Sequence, residues 1–247
     1  MRRFGLVGNP LTHSWSEKIF VRLFRENGLS DCRYDLYPRE NLDGFREWVA
    51  QMNDLQGLNV TIPFKLSILA ELDETDLSAL SAGAVNTIRI FRDSGTVRLK
   101  GFNTDTDGFR GILPAPVGHK SALVLGTGGA SKAVAAVLKE AGIPFSTVSR
   151  KPVERGALSY GEMTGRIIQN NTLIINATPL GMFPETNTFP PIPYRYLTER
   201  HLLVDLVYNP PETLFLKFGR EQGAKVINGL GMLEIQAQKS LEIFIAD

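Results

Sequence analysis

The sequence predicts an α/β protein of two domains. Three observations carry that expectation. Residues 121–151 read strand, glycine turn, helix, strand. The runs TLIINA at 172–177 and LLVDLV at 202–207 are short apolar segments of the kind a parallel sheet buries on both faces. The chain has 247 residues, 43% of them hydrophobic, which is enough material for two modest cores.

Charge and cysteine usage narrow the class. With 27 basic and 26 acidic residues the net charge is +1, so no global field favours nucleic acid or an anionic membrane, and small-molecule chemistry is expected. Cys32 is the only cysteine, which suits a reducing, cytoplasmic setting. The opening MRRFGLVGNP breaks at Gly8 and Pro10 before an apolar core of signal length, and no run approaches the roughly 18 residues of a membrane span.

From the N-terminus, residues 4–7 predict a buried strand stopped by Gly8, Asn9 and Pro10. A helix beginning near Ser14 follows, with Ile19, Phe20, Leu23 and Phe24 at helical spacing. Ser14 and Ser16 then stand at the mouth of that helix. Either one serine caps it, or the hydroxyls and free backbone N–H groups together hold a carboxylate. His13 reads as a loop residue. Residues 32–37 alternate as a strand, and Leu42, Phe45, Trp48, Val49 and Met52 form a helical face. GLNVTIPFK at 57–65 predicts a strand through Leu58 and Val60, then a helix with Pro63 in its first turn. Asn59 and Thr61 share one side of that strand by its period of two. Lys65 would fall in the first helical turn, where the dipole repels a cation, so it is either a surface lysine or a functional one. GAVNTIRI at 83–90 and TVRLK at 96–100 predict two strands joined by a turn at Asp93, Ser94 and Gly95. Asp105 and Asp107 flank the next helix start, and one of them is expected to be an N-cap. The segment around Pro114, Pro116 and Gly118 separates the halves, with residues 1–107 in the first domain and 108–231 in the second.

The second half opens on the glycine turn. Gly126, Gly128 and Gly129 lie between an apolar run and a helical pattern of Ala133, Val134, Val137 and Leu138. Such a turn lets an anion reach backbone N–H groups, with the helix N-terminus adding about half a positive charge. The unit predicts a dinucleotide site, although Ser131 takes the third glycine position of the motif; the other reading is a purely structural turn. At the second strand's end stand Ser149, Arg150 and Lys151, where an NAD enzyme usually places an acid. Two cations and a hydroxyl suit a 2′-phosphate, so NADP is favoured, with Glu154 keeping NAD open. The run at 172–177 ends at TPLGM, where Thr178 and Gly181 would line the sheet's carboxyl edge. A proline-rich loop at 184–193, a helix at 212–220, a strand at 225–227 and a last helix at about 231–245 complete the chain. Gln236 lies near the start of that helix and either makes buried hydrogen bonds or faces solvent.

The segments GNPLTHSWS, GLNVTIPFK, GAVNTI, GFNTDTDGF, GTGGASKA, INATPLGM, DLVYNP and NGLGMLEIQA together resemble the shikimate dehydrogenase family, in order and spacing, from end to end. The resemblance implies an N-terminal α/β substrate domain with a mainly parallel sheet and a C-terminal Rossmann-like NADP-binding domain. The last helix, 232–247, would pack back on the first domain. It implies reversible, NADP-dependent reduction of 3-dehydroshikimate to shikimate on the route to chorismate and the aromatic amino acids. Matched motif by motif, Ser14, Ser16, Thr61, Asn86, Asp105, Tyr208 and Gln236 would hold the substrate, and Lys65 with Asp105 would form the catalytic pair. Gly126, Gly128, Gly129, Ala130, Ser149, Arg150 and Lys151 would hold NADP, with Leu206 and Gly229 bordering the nicotinamide. No metal is expected, and the chain would act as a monomer or homodimer.

The chain departs from the family pattern in two places. Ser149-Arg150-Lys151, followed by Arg155, replaces the common asparagine, arginine, threonine, and Pro179 stands where serine is common. Reducing a ketone with hydride leaves an alkoxide, so a donor must deliver a proton within hydrogen-bond reach. Lys65 is assigned that step, with Asp105 orienting it. The competing expectations are a quinate/shikimate dehydrogenase with relaxed substrate or NAD use, and a non-catalytic ligand-sensing domain of the same fold. Retention of both Lys65 and Asp105 speaks against the second.

Overall fold

The computed structural model describes residues 1–93, 95–114, 118–152 and 157–246. Ser94, Pro116, Glu154 and Arg155 lie outside them. The chain forms two compact units, residues 1–107 with 234–247, and residues 108–233. Among the described residues no helix is long and apolar enough to cross a membrane.

The first unit is built on strands β1 (Arg2–Gly8), β2 (Cys32–Pro38), β3 (Leu55–Val60), β4 (Glu74–Thr75), β5 (Thr87–Asp93) and β6 (Thr96–Phe102), with helices α1 (Ser16–Glu26), α2 (Phe45–Gln51) and α3 (Leu77–Ala82). The sheet order is β2-β1-β3-β5-β6-β4. β1 pairs in parallel with β2 and β3, as β4 does with β6, whereas the β3–β5 and β5–β6 pairings are antiparallel. The strand period of two gives this sheet two apolar faces. Phe4 of β1 stacks on Phe244 of the last helix at 4.9 Å, and Phe20 of α1 stacks on Tyr34 at 4.2 Å. Val7, Leu58 and Val60 belong to the other core, with Phe45 and Val49 of α2. A fully buried Phe or Leu contributes roughly 1.5–3 kcal/mol, so these two layers fix the register of β1 and β3.

The second unit holds β7 (Ala122–Leu125), β8 (Phe145–Ser149), β9 (Leu158–Ser159), β10 (Leu173–Asn176), β11 (Leu202–Asp205) and β12 (Lys225–Ile227). It also holds α5 (Gly129–Glu140), α6 (Gly165–Asn170) and α7 (Leu214–Glu221), and the boundaries at 107/108 and 233/234 divide α4 (Asp105–Ile112) and α8 (Leu230–Ile245) between the units. The order is β12-β11-β10-β7-β8-β9, with every pairing parallel. Alternate residues face different cores. Ala122, Val124, Leu173 and Ile175 pack with Val134, Val137 and Leu138 of α5, whereas Leu123, Leu125 and Ile174 pack with Ile168 of α6 and Phe215 of α7. Burial on both faces explains why these strands read as continuous apolar runs. The chain order reverses between β7 and β10, so a crevice opens beyond the carboxyl ends of these two strands, where such sheets bind ligands.

Three local expectations are corrected. Pro63 does not open an α-helix: residues 61–66 form successive turns before a 3₁₀ segment at Ser67–Glu71. The Lys65 carbonyl accepts from Val85 N at 2.8 Å and is thereby withdrawn from any helical ladder, so the dipole argument for Lys65 falls. Residues 83–86 are not strand. Gly83 ends α3 at φ +63°; the large pair Leu77 and Leu80 faces outward and only the small Ala79 and Ala82 are buried, so the apolar spacing of this helix marks its exposed side. Neither Asp105 nor Asp107 caps α4; the Asn103 side chain accepts from Thr106 N at 3.2 Å.

Candidate active site

In the first unit Lys65 reaches Asp105. Nζ lies 2.6 Å from Oδ2, with the side chains 16% and 7% exposed. Thr61–Leu66 carries the lysine out of β3, and α4 begins at the aspartate. The second carboxylate oxygen, Oδ1, accepts from Asn86 Nδ2 at 2.9 Å. The orientation of that amide is fixed by the backbone: Thr104 N donates to Asn86 Oδ1 at 2.8 Å, so the NH₂ must point toward Asp105. Gln236 Oε1 also accepts from Asn86 Nδ2, at 3.4 Å, and the side chain is half-buried and hydrogen-bonded, not turned to solvent. A lysine with one carboxylate partner and low exposure is a charge-assisted donor held in a fixed place.

Ser14 and Ser16 sit at the entry to α1. Trp15 occupies the N-cap position without a side-chain capping bond, while Ser14 Oγ accepts from Ser16 N at 3.2 Å, so the local capping role falls to Ser14. Ser16 lies within hydrogen-bond reach of the Tyr34 phenol, whose pKa burial pushes well above its usual range. Tyr34 in turn donates to Asn59 Oδ1 at 2.8 Å. Thr61 follows β3 directly, its N–H on the Val7 carbonyl at 2.9 Å.

In the second unit the glycine turn stands at the β7/β10 crevice. Gly126 has φ +109°, and a Cβ there would come within 3.0 Å of the Ala177 carbonyl oxygen. Gly128 precedes α5, and a Cβ there would meet nothing within 4 Å, which leaves the N-terminus of the helix open to an anion. Ser131 fits the third glycine position by folding its hydroxyl onto the Gly128 carbonyl at 2.7 Å. At the end of β8 the Ser149 hydroxyl is buried with no hydrogen-bond partner among the described residues, while Arg150 and Lys151 are exposed beside it. An orphaned buried hydroxyl next to two cations is the donor set that an esterified phosphate satisfies, so this strand end fits a 2′-phosphorylated dinucleotide. Gly229 approaches the backbone after β11: a Cβ there would lie 2.2 Å from the Leu206 oxygen. Tyr208 also belongs to this unit.

A buried acid supports the crevice. Asp205 ends β11 and accepts from Asn176 Nδ2 at 2.9 Å and Val207 N at 3.0 Å, with Thr213 Oγ1 on its other oxygen. Asn176 Oδ1 in turn accepts from Thr178 N at 3.1 Å and Oγ1 at 2.6 Å, which turns the Thr178 hydroxyl inward. Burial pushes the Asp205 carboxyl up from 3.8 to about 7, against the pull of these donors. The folded chain therefore holds this proton more tightly than the unfolded one. The stabilisation is complete below about pH 4 and is lost as pH rises through about 7, up to roughly 4 kcal/mol on this group. Asp205→Asn is expected to flatten that dependence, since the Thr213 hydroxyl can reverse to accept from an amide. Denaturant unfolding at pH 5 and pH 8 checks it, and equal slopes in both proteins would contradict the assignment.

Residues 6–88 match the family described as the shikimate dehydrogenase substrate binding domain. The NADP(+) shikimate dehydrogenase of Methanococcus maripaludis is 36% identical over 97% of this chain and 90% of its own length. The chain belongs to the shikimate dehydrogenase family. A second relative in the family, the NADP(+) enzyme of Shouchella clausii, is 35% identical over 98% of this chain and 92% of its own. Among solved structures, the shikimate 5-dehydrogenase of Thermus thermophilus in complex with NADP(H) and shikimate superposes with a TM-score of 0.85. It is 33% identical and covers 99% of this chain and 94% of its own.

Of the positions matched to family motifs, Lys65, Asn86, Asp105 and Gln236 meet through direct hydrogen bonds, and Ser16 connects through Tyr34 and Asn59. Sequence reasoning missed Tyr34, Thr87, Thr104, Asp205 and Ser240. The available signal was a polar residue inside an apolar element: Ser240 falls on the apolar side of the last helix, and Asp205 interrupts LLVDLV.

Proposed function

We propose that this chain is an NADP-dependent shikimate dehydrogenase, reversibly reducing 3-dehydroshikimate to shikimate in aromatic amino-acid biosynthesis. The observation that carries the reading is the shielded Lys65–Asp105 pair at 2.6 Å, with Asn86 on the free carboxylate oxygen. Ser14 and Ser16 hold the substrate carboxylate at the mouth of α1, and Thr61, Asn86, Asp105, Gln236 and Tyr208 orient its hydroxyls. Lys65 gives its proton to the oxygen that becomes the alkoxide, and Asp105 fixes the ammonium direction. NADP, when bound, supplies or accepts the hydride. Gly126, Gly128, Gly129 and Ala130 hold its pyrophosphate, Ser149, Arg150 and Lys151 its 2′-phosphate, and Leu206 and Gly229 border the nicotinamide. The half-buried free Cys32 suits a cytoplasmic setting, and the active form is a monomer or homodimer.

Steady-state oxidation of shikimate with NADP and with NAD tests the reading. Turnover with NADP at a lower Michaelis constant than with NAD is expected. Shikimate binding without turnover would instead identify a sensor, and faster turnover of quinate a different substrate preference. Arg150→Ala is expected to raise the NADP Michaelis constant roughly tenfold or more while leaving that for NAD nearly unchanged, because a guanidinium contact with phosphate is charge-assisted. Equal effects on both cofactors would remove Arg150 from the site.

A further inference from the structure

One buried, highly connected polar side chain in the first unit has no role in the reading above. Ser240 is fully buried in α8, one turn beyond Gln236. Its Oγ donates to the Gln236 carbonyl at 2.9 Å, which uses its only hydrogen. Its two lone pairs then face three groups able to donate, Asn59 Nδ2 at 2.9 Å, Thr87 Oγ1 at 2.8 Å and Thr104 Oγ1 at 3.0 Å, two of which it can serve at once. A mid-helix serine bonded back to residue i−4 does nothing for its helix and slightly weakens it. Its inward neighbours Ala237, Leu241 and Phe244 are apolar, so packing does not call for a hydroxyl at this position. What does call for one is the group of donors around it.

Those donors lead to the Lys65–Asp105 pair. The Thr87 and Thr104 hydroxyls both lie against Asn86 Oδ1, at 3.1 and 3.2 Å, and Asn86 Nδ2 reaches Thr104 Oγ1 at 3.0 Å and Asp105 Oδ1 at 2.9 Å. Two threonine hydroxyls can each donate in several directions. If one turns its hydrogen away from Ser240, it loses its best acceptor; if both do, they compete for Asn86 Oδ1 with the Thr104 N–H. While its hydrogen stays on the Gln236 carbonyl, Ser240 can only accept from the threonines. It thereby sets the sense of the whole network.

We infer that Ser240 is a positioning residue: by accepting from the hydroxyls beneath Asn86, it holds the Asn86 amide on one oxygen of Asp105 and leaves the other oxygen to Lys65. The inference rests on the functional reading above, since it acts through the proton-transferring pair. Asn59 keeps alternative acceptors in the Asn86 carbonyl at 3.3 Å and Thr87 Oγ1 at 3.1 Å, so loss of the serine hydroxyl does not strand a buried donor.

The test uses the full chain as wild type, Ser240→Ala, and Ser240→Cys, which keeps the volume but accepts hydrogen bonds poorly. Each Ser240 change is also made in a Lys65→Met background. Expected is a fall in kcat for shikimate oxidation of about three- to tenfold in both Ser240 variants, the kinetic equivalent of one ordinary hydrogen bond. NADP affinity, read by fluorescence titration, stays at the wild-type value. In the Lys65→Met background the same Ser240 changes leave the residual rate unaltered, because the pair through which they act is already gone. Unchanged kcat in the single variants, or the same fold loss with and without Lys65, overturns the inference and leaves the functional reading intact. A wild-type chain that binds shikimate without turning it over overturns both. Should Ser240→Ala fail to fold, Ser240→Cys carries the same comparison.

Discussion

Lys65→Met is expected to lower shikimate turnover at least ~10²-fold, the usual loss when a general acid is removed. Methionine keeps most of the aliphatic stem and removes charge and proton together. Asp105 then stays hydrogen-bonded to Asn86 at 2.9 Å but faces no cation, while only 7% of its side chain is exposed. A stability loss accompanies the kinetic one, because removing one member of a shielded ion pair leaves the other unpaired. The two effects are separable: NADP affinity, assigned to the second unit, should change little, and thermal melts report the remaining fold. A folded Lys65→Met chain that binds both ligands and turns over within a few-fold of wild type would place the proton donor elsewhere.

Gly229→Ala is expected to destabilise the second unit by about 3 kcal/mol or more, at the upper end of overpacking costs. The added Cβ would lie 2.2 Å from the Leu206 carbonyl oxygen, 2.6 Å from its carbon and 3.1 Å from its Cα. All three are backbone atoms, so no side chain can swing aside. The Gly229 N–H also donates to the Val207 carbonyl at 3.1 Å, which ties the two segments together at the point where they would have to part. A fall in Tm of roughly 6–12 °C should follow for a chain of this size. Gly128→Ala is the control, because a Cβ there meets nothing within 4 Å. Equal melting temperatures for Gly229→Ala and wild type would mean that the two backbones do not approach in solution as they do here.

The strands of the second unit were legible because burial on both faces writes a continuous apolar run, and the glycine turn was legible because no other residue tolerates φ +109° at Gly126 easily. Helix α1 showed itself through Ile19, Phe20, Leu23 and Phe24, all of which are buried. By contrast α3 was invisible: its capping Asp76 is a local feature, but Leu77 and Leu80 point outward and reverse the pattern that sequence reading depends on. The dipole argument for Lys65 has no α-helix behind it and the family motif alone marks the residue in sequence; in the fold what distinguishes it is a partner 40 residues away at 2.6 Å.

The sequence by itself determined what depends on neighbours along the chain: strand runs, helical stripes, the glycine turn with its basic strand end, and, through eight ordered motifs, the family. Only the tertiary structure decided how polar residues from β2, β3, β5, α4 and α8 converge, so that Tyr34, Asn59, Thr87 and Ser240 underlie Asn86 and Asp105. The reason is physical. Periodicity reports which face of an element is buried, whereas a hydrogen bond between side chains 153 residues apart, as between Thr87 and Ser240, is specified by sheet order and register and leaves no local trace.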